Sequence, residues 1–354
     1  MVIINPWSKR LVPVIGILTA RKKDGLIAGN GTLFIELQKK LISLNGVSFI
    51  FTPDGVHEDS IDGFIFIPEK NGWERINSPF PDLVYNRIPF RRSEEELQSS
   101  TFFSFLKEKN IPFFNPGFID KSELYHLFKN HPFLHTFLPE TIQVNHKQKL
   151  SAFLSQYQSI YLKPSQSARG NGIFKLELDT QKKVHIKGLQ ENDEFVTFDY
   201  FWKEWESKLR EKNYLAQEEI KSSLYDGKRF DFRILAHSEN DHYQVTGIGI
   251  RQSQVQDITT HIPLGGRLLP YKLLQTEEHD IFIEAVVEHI GKALTEKFGF
   301  FGEFSIDIGL SQSGQYYIYE VNSKPMSFDE TDIEERKIEH LCQLFLQLTG
   351  NKTN

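Results

Sequence analysis

The sequence predicts a mixed chain, α/β at its start and α+β after it. Three observations carry that expectation. Residues 12–115 alternate strand-like and helix-like runs at the spacing of a small parallel sheet. Further on, the glycine-containing loop 165–172 separates two strand patterns. Near the end, Phe301–Met326 reads as two strands joined at the turn dipeptide Ser313-Gly314.

In the first unit, Val14–Thr19 is an apolar strand. Gly31-Thr32 opens a helix that carries Leu33, Leu37, Leu41 and Leu44 at helical spacing and stops at Gly46. Val47–Phe51, Gly63–Ile67 and Leu83–Tyr85 are further strands. Ser93 with Glu96 forms a capping box for a helix to about Lys109. Asp120 and Glu123 cap a helix over Lys121–Lys129. After Gln148–Tyr157 (helix) and Ser159–Lys163 (strand), Phe201–Lys212 is helical and Leu215–Ile220 extended. Phe230–His237 and Gln244–Arg251 form a strand pair. Asp280 caps a long helix closed by Gly299, and a last helix runs from about Asp332 to Leu348. Gly29-Asn30-Gly31 lacks the third glycine of a dinucleotide fingerprint, and Pro132 breaks any alignment of His126, His131 and His135.

A chain of 354 residues is long enough for two or three cores, and 39% hydrophobic with 25% charged residues is ordinary for a soluble protein. The net charge of −6 and the lack of a basic stripe argue against nucleic acid. A single cysteine, Cys342 in an apolar helical pattern, excludes an internal disulfide and a cysteine zinc site. Leu11–Ala20 contains Pro13 and Gly16 and leads straight into Arg21-Lys22-Lys23, so it reads as a buried strand rather than a signal peptide. No other run is long enough to span a membrane. These features lead us to expect a protein made and kept inside the cell.

The chemistry concentrates in the C-terminal hairpin. A two-residue turn at Ser313-Gly314 pairs 312 with 315, 309 with 318 and 307 with 320. Asp307 then faces Glu320, with Asn322 one step along the same face. Two facing carboxylates repel unless a cation lies between them, and Asp, Glu and Asn oxygens suit magnesium. So few protein oxygens leave coordination positions for water and phosphate. The alternative is a solvated polar face of an edge hairpin. Before the loop 165–172, Lys163 supplies a point charge, and small residues let backbone amides approach phosphate. This is not a P-loop, because nothing in the chain matches G-x-x-x-x-G-K-[ST] and a strand rather than a helix follows; the alternative for the loop is a flexible hairpin turn. Gln217-Glu218-Glu219-Ile220 ends a strand whose backbone can read an adenine edge. Asp231 and Arg233 share a strand face. Gly265-Gly266-Arg267 closes a polar loop that begins near Arg251. Arg87 and Arg91, near strand ends, suit an anionic substrate.

In that order, Lys121, Lys163 with its loop, Gln217–Ile220, Asp231-x-Arg233, Gly265-Gly266-Arg267 and Asp307…Glu320-Val-Asn322 resemble the ATP-grasp superfamily over roughly residues 118–345. The segments YNRIP, LPET, KPSQSARGNGI and EVNSKP look like the YheC/YheD family of endospore coat-associated ATP-grasp proteins, and the length is more like its shorter YheC branch. The resemblance implies two α+β subdomains gripping ATP (118–216 and 217–350) after a small parallel-sheet domain (1–117). It implies that Lys121 and Lys163 contact the α- and β-phosphates. The loop containing Ser165, Ser167, Arg169, Gly170 and Gly172 is the lid over the β- and γ-phosphates. Gln217, Glu218, Glu219 and Ile220 form the adenine hinge, Asp231 holds ribose, and Arg267 belongs to the nucleotide site. Asp307, Glu320 and Asn322 carry Mg²⁺, Arg233 and Arg251 stabilise the transferring phosphoryl group, and Lys324 lies in the acyl-phosphate zone. Two positions depart from glutathione synthetase-like members: His261 stands in place of Asn, and Lys324 in place of a small residue.

The activity implied is an ATP-dependent ligase that joins a carboxylate to an amine, with substrates the sequence does not name. A nucleotide-binding structural protein of the spore coat, with coat proteins as partners, is the alternative. Phosphoryl transfer to a hydroxyl would use the same site.

Overall fold

The computed structural model describes residues 12–350 apart from 96, 167–170, 255–259, 261, 263 and 264. Three sheets follow one another along the chain. The first contains β1 (Val14–Leu18), β2 (Val47–Val56), β3 (Ile61–Ile67), β4 (Gly72–Ser78), β5 (Leu83–Asn86) and β6 (Phe113–Phe114), in the order β4-β3-β2-β1-β5-β6. Strands β2, β1, β5 and β6 are parallel, as expected. Strands β3 and β4, however, are antiparallel additions. Only four residues separate β2 from β3, too few for the crossover that parallel pairing needs. Helix α1 (Gly31–Ser43) is capped by Asn30 and buries Leu33, Phe34, Leu37 and Leu41 on this sheet. Asn30 therefore serves a helix cap rather than a dinucleotide loop.

Helix α2 begins at Arg91 and ends at Glu95, and α3 runs from Leu97 to Glu108. Ser93 lies inside α2 rather than capping it, and Glu96 falls outside the described residues. Helix α4 (Lys121–Lys129) is capped by Asp120, whose carboxylate accepts from the Ser122 amide at 2.8 Å. Its Leu124 and Phe128 pack on the third sheet, not on the sheet that follows it in sequence.

The second sheet is antiparallel, in the order β11-β10-β9-β8-β12-β7. Its strands are β7 (Thr141–Gln143), β8 (Ser159–Pro164), β9 (Phe174–Leu178), β10 (Val184–Lys187), β11 (Asn192–Phe195) and β12 (Tyr214–Glu218). Helices α5 (Lys147–Tyr157) and α6 (Phe198–Glu211) cover one face, where Leu150, Leu154, Phe201 and Trp205 meet Ile160, Leu162 and Leu176.

The third sheet has β13 (Leu224–Tyr225), β14 (Lys228–Glu239), β15 (His242–Gln252), β16 (Arg267–Leu269), β17 (Glu303–Leu310) and β18 (Tyr316–Asn322), in the path β16-β15-β14-β17-β18. Helix α7 (Glu277–Phe298) lies on one face, with Ile283, Val286, Val287 and Ile290 against Phe232, Ile234, Phe304, Ile306 and Ile308. Its cap is Thr276, which accepts from the His279 amide. Asp280 sits in the first turn and accepts from Tyr271 and Gln275.

Helix α8 (Thr331–Leu348) joins the ends of the chain. Leu341, Cys342 and Phe345 complete the core of the first sheet, while Ile333 packs with Leu235 of the third. Cys342 is a buried core residue. No helix of the described residues is long and apolar enough to cross a membrane.

Candidate functional site

The face of the third sheet turned away from α7 carries the polar residues, because directly opposed residues on neighbouring strands share a face, and α8 covers one end of it. Asp231 on β14 lies between Arg251 on β15 and Gly309 on β17. Two residues along, Arg233 lies between Gly249 and Asp307, and Asp307 faces Glu320 on β18. The next row sets Ser305 between Leu235 and Asn322, and the last pairs His237 with Glu303.

Asp307 does oppose Glu320, but by a different route from a two-residue turn. The pairs nearest the loop are Leu310 with Tyr316, Gly309 with Tyr317 and Ile308 with Ile318, so the loop is one residue longer than Ser313-Gly314 would make it. A bulge at Tyr319 then absorbs that residue and restores the register at Asp307. The bulge also breaks the alternation expected for β18. Ile318 and Val321 enter the core, while Tyr317, Tyr319, Glu320 and Asn322 are only partly buried. Gly309 makes room for the turned-out ring, since a Cβ there would collide with Tyr319.

The Arg233–Asp307–Glu320 row is electrostatically unfinished. Arg233 approaches Asp307 at 3.9 Å, and Lys121, at the first turn of α4, pairs with Glu320 at 2.8 Å. Burial, helped by the nearby Glu320 charge and opposed by Arg233, pushes the Asp307 carboxyl up to about 6. Asp231 Oδ1, Arg233 Nε and Ser305 Oγ are buried on this face without hydrogen-bond partners. Two opposed carboxylates and an amide beside unpartnered polar atoms fit a hydrated cation that carries phosphate. Among the described residues no group of three or more His, Cys, Asp or Glu could hold a metal by itself.

The second sheet closes over the row. Lys163 on β8 donates to Gln217 on β12 at 2.5 Å and lies 5.8 Å from the Tyr319 ring. Arg229, on the same β14 face as Asp231 and Arg233, donates to Tyr161 at 3.2 Å and so ties the two sheets. Ser165 is buried at the base of the lid loop, and its carbonyl accepts from the Lys121 amide at 3.2 Å. At the other end Gly172 takes a φ of 75°, and its carbonyl accepts from Tyr214. Ser167, Arg169, Gly170 and His261 lie outside the described residues. Burial first, then Lys121 and Arg229, lowers Lys163 to about 8. Its charge is therefore full below that pH and is lost as pH rises through it. Nucleotide affinity of the unliganded chain should fall as pH rises through about 8, and Lys163→Gln should flatten that dependence in titrations across the range. An unchanged slope would exclude Lys163 as a phosphate contact.

At the hinge, the Glu218 amide donates to the Glu140 carbonyl and the Glu140 amide donates to the Glu218 side chain. The Glu218 backbone amide is thereby taken. Glu219 is held by Lys175 at 2.8 Å, which also pairs with Glu177, so its side chain braces the hinge.

Three expected residues stand differently. Arg267 pairs with Gln252 opposite Phe230, which sets it on the covered face; its side chain is exposed at the far edge, away from the Arg233–Asp307–Glu320 row. Lys324 is almost wholly buried and points into the first unit, against Glu94, Asn86 (3.0 Å) and the Ile88 carbonyl (3.3 Å). It is a strut rather than a substrate contact. Arg251 is on the site face, but Glu330 holds both its terminal nitrogens, at 2.5 and 3.0 Å.

The sequence reading missed Arg229 and Glu303, although the alternations Arg229-x-Asp231-x-Arg233 and Glu303-x-Ser305-x-Asp307 were there to be followed. Glu303 is fully buried, and Tyr85 and Arg87 at the end of β5 both donate to it. Burial alone would raise its carboxyl, and Arg87, Lys337 and His237 outweigh that and hold it below the usual range. Arg87 is thereby committed to Glu303 and to the Pro325 carbonyl, and Arg91 to the carbonyls of Phe118 and Ile119. Neither arginine is open to an anionic substrate here.

A profile of YheC/D like ATP-grasp proteins matches residues 110–348. The chain belongs to the YheC/D like ATP-grasp family. It is 27% identical to the endospore coat-associated protein YheD of Bacillus subtilis, over 92% of this chain and 75% of that protein. With YheC of the same organism the identity is 23%, over 79% and 81%. The expectation drawn from length, that the shorter YheC branch is nearer, gives way to the higher identity and wider coverage with YheD. Among solved structures, D-alanyl-alanine synthetase A from Vibrio cholerae superposes with a TM-score of 0.55 at 14% identity, over 96% of this chain and 99% of that one. VanG D-Ala:D-Ser ligase from Enterococcus faecalis gives 0.56 at 12%, with the same shares. The ATP-grasp ligase PsnB bound to its minimal precursor gives 0.54 at 13%, over 95% and 99%. These likenesses establish the ATP-grasp fold, with the first sheet included in the superposed span.

Proposed function

We propose that the chain is an ATP- and Mg²⁺-dependent ligase that activates a carboxylate and joins it to an amine. The observation that carries this reading is the row Arg233, Asp307 and Glu320 on one sheet face, with Lys121 reaching it from α4 and Lys163 approaching from the second sheet. In this reading Lys121 and Lys163 bind the phosphates, and Asp231 and the Gln217–Ile220 strand end bind the nucleoside. Asp307, Glu320 and Asn322 hold Mg²⁺, which neutralises phosphate charge. A substrate carboxylate oxygen bonds to the γ-phosphorus as ADP leaves. The amine nitrogen then attacks the acyl carbon, phosphate departs, and the amine gives up a proton. Arg233 stands where charge develops in the first step. Positioning and fixed charge suffice for such chemistry, without a protein nucleophile.

A second reading, a nucleotide-binding protein of the spore coat with little turnover, draws on the names of the Bacillus subtilis relatives and on the commitment of Arg251 to Glu330. Synthesis in the cytoplasm and association with the coat are proposed on the same footing. Phosphate release from ATP, screened over pairs of carboxylates and amines, separates the two. Release that needs both partners supports the ligase. Magnesium-dependent nucleotide binding with no release for any pair favours the coat reading.

A further inference from the structure

The strap Ser323–Glu330 continues from Asn322, the last residue of β18, and crosses to α8. Its first half is fastened to the opening unit. Asn115 donates to the Ser323 carbonyl at 2.7 Å, Lys324 pairs with Glu94, Arg87 donates to the Pro325 carbonyl at 3.0 Å, and Asn30 donates to Ser327 at 2.8 Å. Its second half lies on the arginines. The Phe328 ring is under Arg233 at 5.0 Å and Arg251 at 5.8 Å, and Glu330 takes Arg251 in a two-pronged pair, with Asp329 at 3.5 Å. Arg251 is 5% exposed. The sheet beneath is cut away for this pair: Gly249, opposite Arg233, has no side chain, and a Cβ there would run into the Glu330 carboxylate.

A guanidinium fork presents the same two donors to a carboxylate and to a phosphoryl group. Arg251 opposes Asp231 one row from Asp307, on the face where phosphoryl transfer is placed above, yet its fork is filled by a residue of its own chain. We propose that the Glu330 carboxylate occupies the place of an oxyanion that Arg251 receives during turnover, and that this incoming oxyanion displaces the Glu330 side chain, while Phe328 stays packed on Leu235 and Ile333 with its amide bonded to Glu334. The inference rests on the nucleotide reading of the site. The oxyanion is either the γ-phosphoryl group of the nucleotide or the carboxylate of the acyl substrate. Because the first half of the strap stays fastened, release at Glu330 opens the arginine side of the pocket while the first sheet keeps its seat.

Two variants of the full chain test this by calorimetric titration with magnesium. Glu330→Gln removes the competing charge, and Gly249→Ala keeps every charge while pushing the pair apart, which guards against a folding failure of the first. Both should bind the β,γ-imido analogue of ATP roughly tenfold tighter than wild type, with ADP affinity unchanged, if the γ-phosphoryl group is the displacing anion. If the analogue binds no tighter, but acetate titrated into the magnesium–ADP complex does, the carboxylate is the displacing anion. Wild-type affinity for every probe in both variants, or weaker affinity, overturns the inference while leaving the ligase reading intact. A folded wild type that binds no nucleotide defeats both.

Discussion

Glu320→Gln is expected to weaken magnesium-dependent binding of a non-hydrolysable ATP analogue by at least about tenfold, or about 1.4 kcal/mol. Glu320 faces Asp307 across the β17–β18 ladder, and Lys121 is its partner from α4. The substitution removes one anionic oxygen donor from the Asp307–Glu320 pair, so phosphate binding that depends on the metal falls with it. In the absence of ligand the same change relieves a like-charge pair. The unliganded variant should therefore melt close to wild type, since that relief is set against loss of the Lys121 pair. Calorimetric titration with and without magnesium, beside a thermal melt, checks both halves. Equal affinity in variant and wild type would remove the metal assignment from this hairpin. Lost affinity with a much lower melting temperature would instead point to a structural role.

The second large effect is on turnover. Arg233→Ala should lower phosphate release by roughly 10²–10³-fold with whichever substrate pair supports it, while affinity for the analogue changes little. Arg233 stands between Gly249 and Asp307, its Nε has no hydrogen-bond partner, and its guanidinium lies over Phe328. It is thus held by shape and by a 3.9 Å approach to Asp307 rather than by a tight pair, and is available to charge that develops in the transition state. Arg251 in the same state is not, since Glu330 fills its fork. Unchanged turnover in the Arg233 variant would sink the assignment. Equal losses of binding and turnover would make it a ground-state phosphate contact instead.

Much of the site could be read from strand periodicity, which is a local property. Asp231 and Arg233 share a face, and so do Glu320 and Asn322, because a strand turns its side chains over at every residue. The polar rows on β14 and β17 are visible in the same way once a strand is assumed. Parallel pairing of β1 and β2 also follows from local spacing, since a helix fits between them and excludes a tight hairpin. The bulge at Tyr319 was not legible. Its cause is a loop one residue longer than the turn dipeptide suggests, and a Gly309 that leaves space for a ring on the neighbouring strand. The caps at Ser93 and Asp280 were misplaced although both residues have the right chemistry: the helices begin earlier, at Arg91 and Glu277, and in the second case Thr276 is the nearer capping side chain.

The sequence alone thus determined which residue types stand at which strand positions, and with them the ordered set of lysines, carboxylates and arginines that marks the family. Their commitments depended on residues far away in the chain. Lys324 is buried against Glu94, Arg87 against Glu303, and Arg251 against Glu330, in pairs separated by 79 to 230 positions. A charged side chain leaves water only where an opposite charge waits for it, and only the packing of the first and third sheets against each other and α8 brings those charges together.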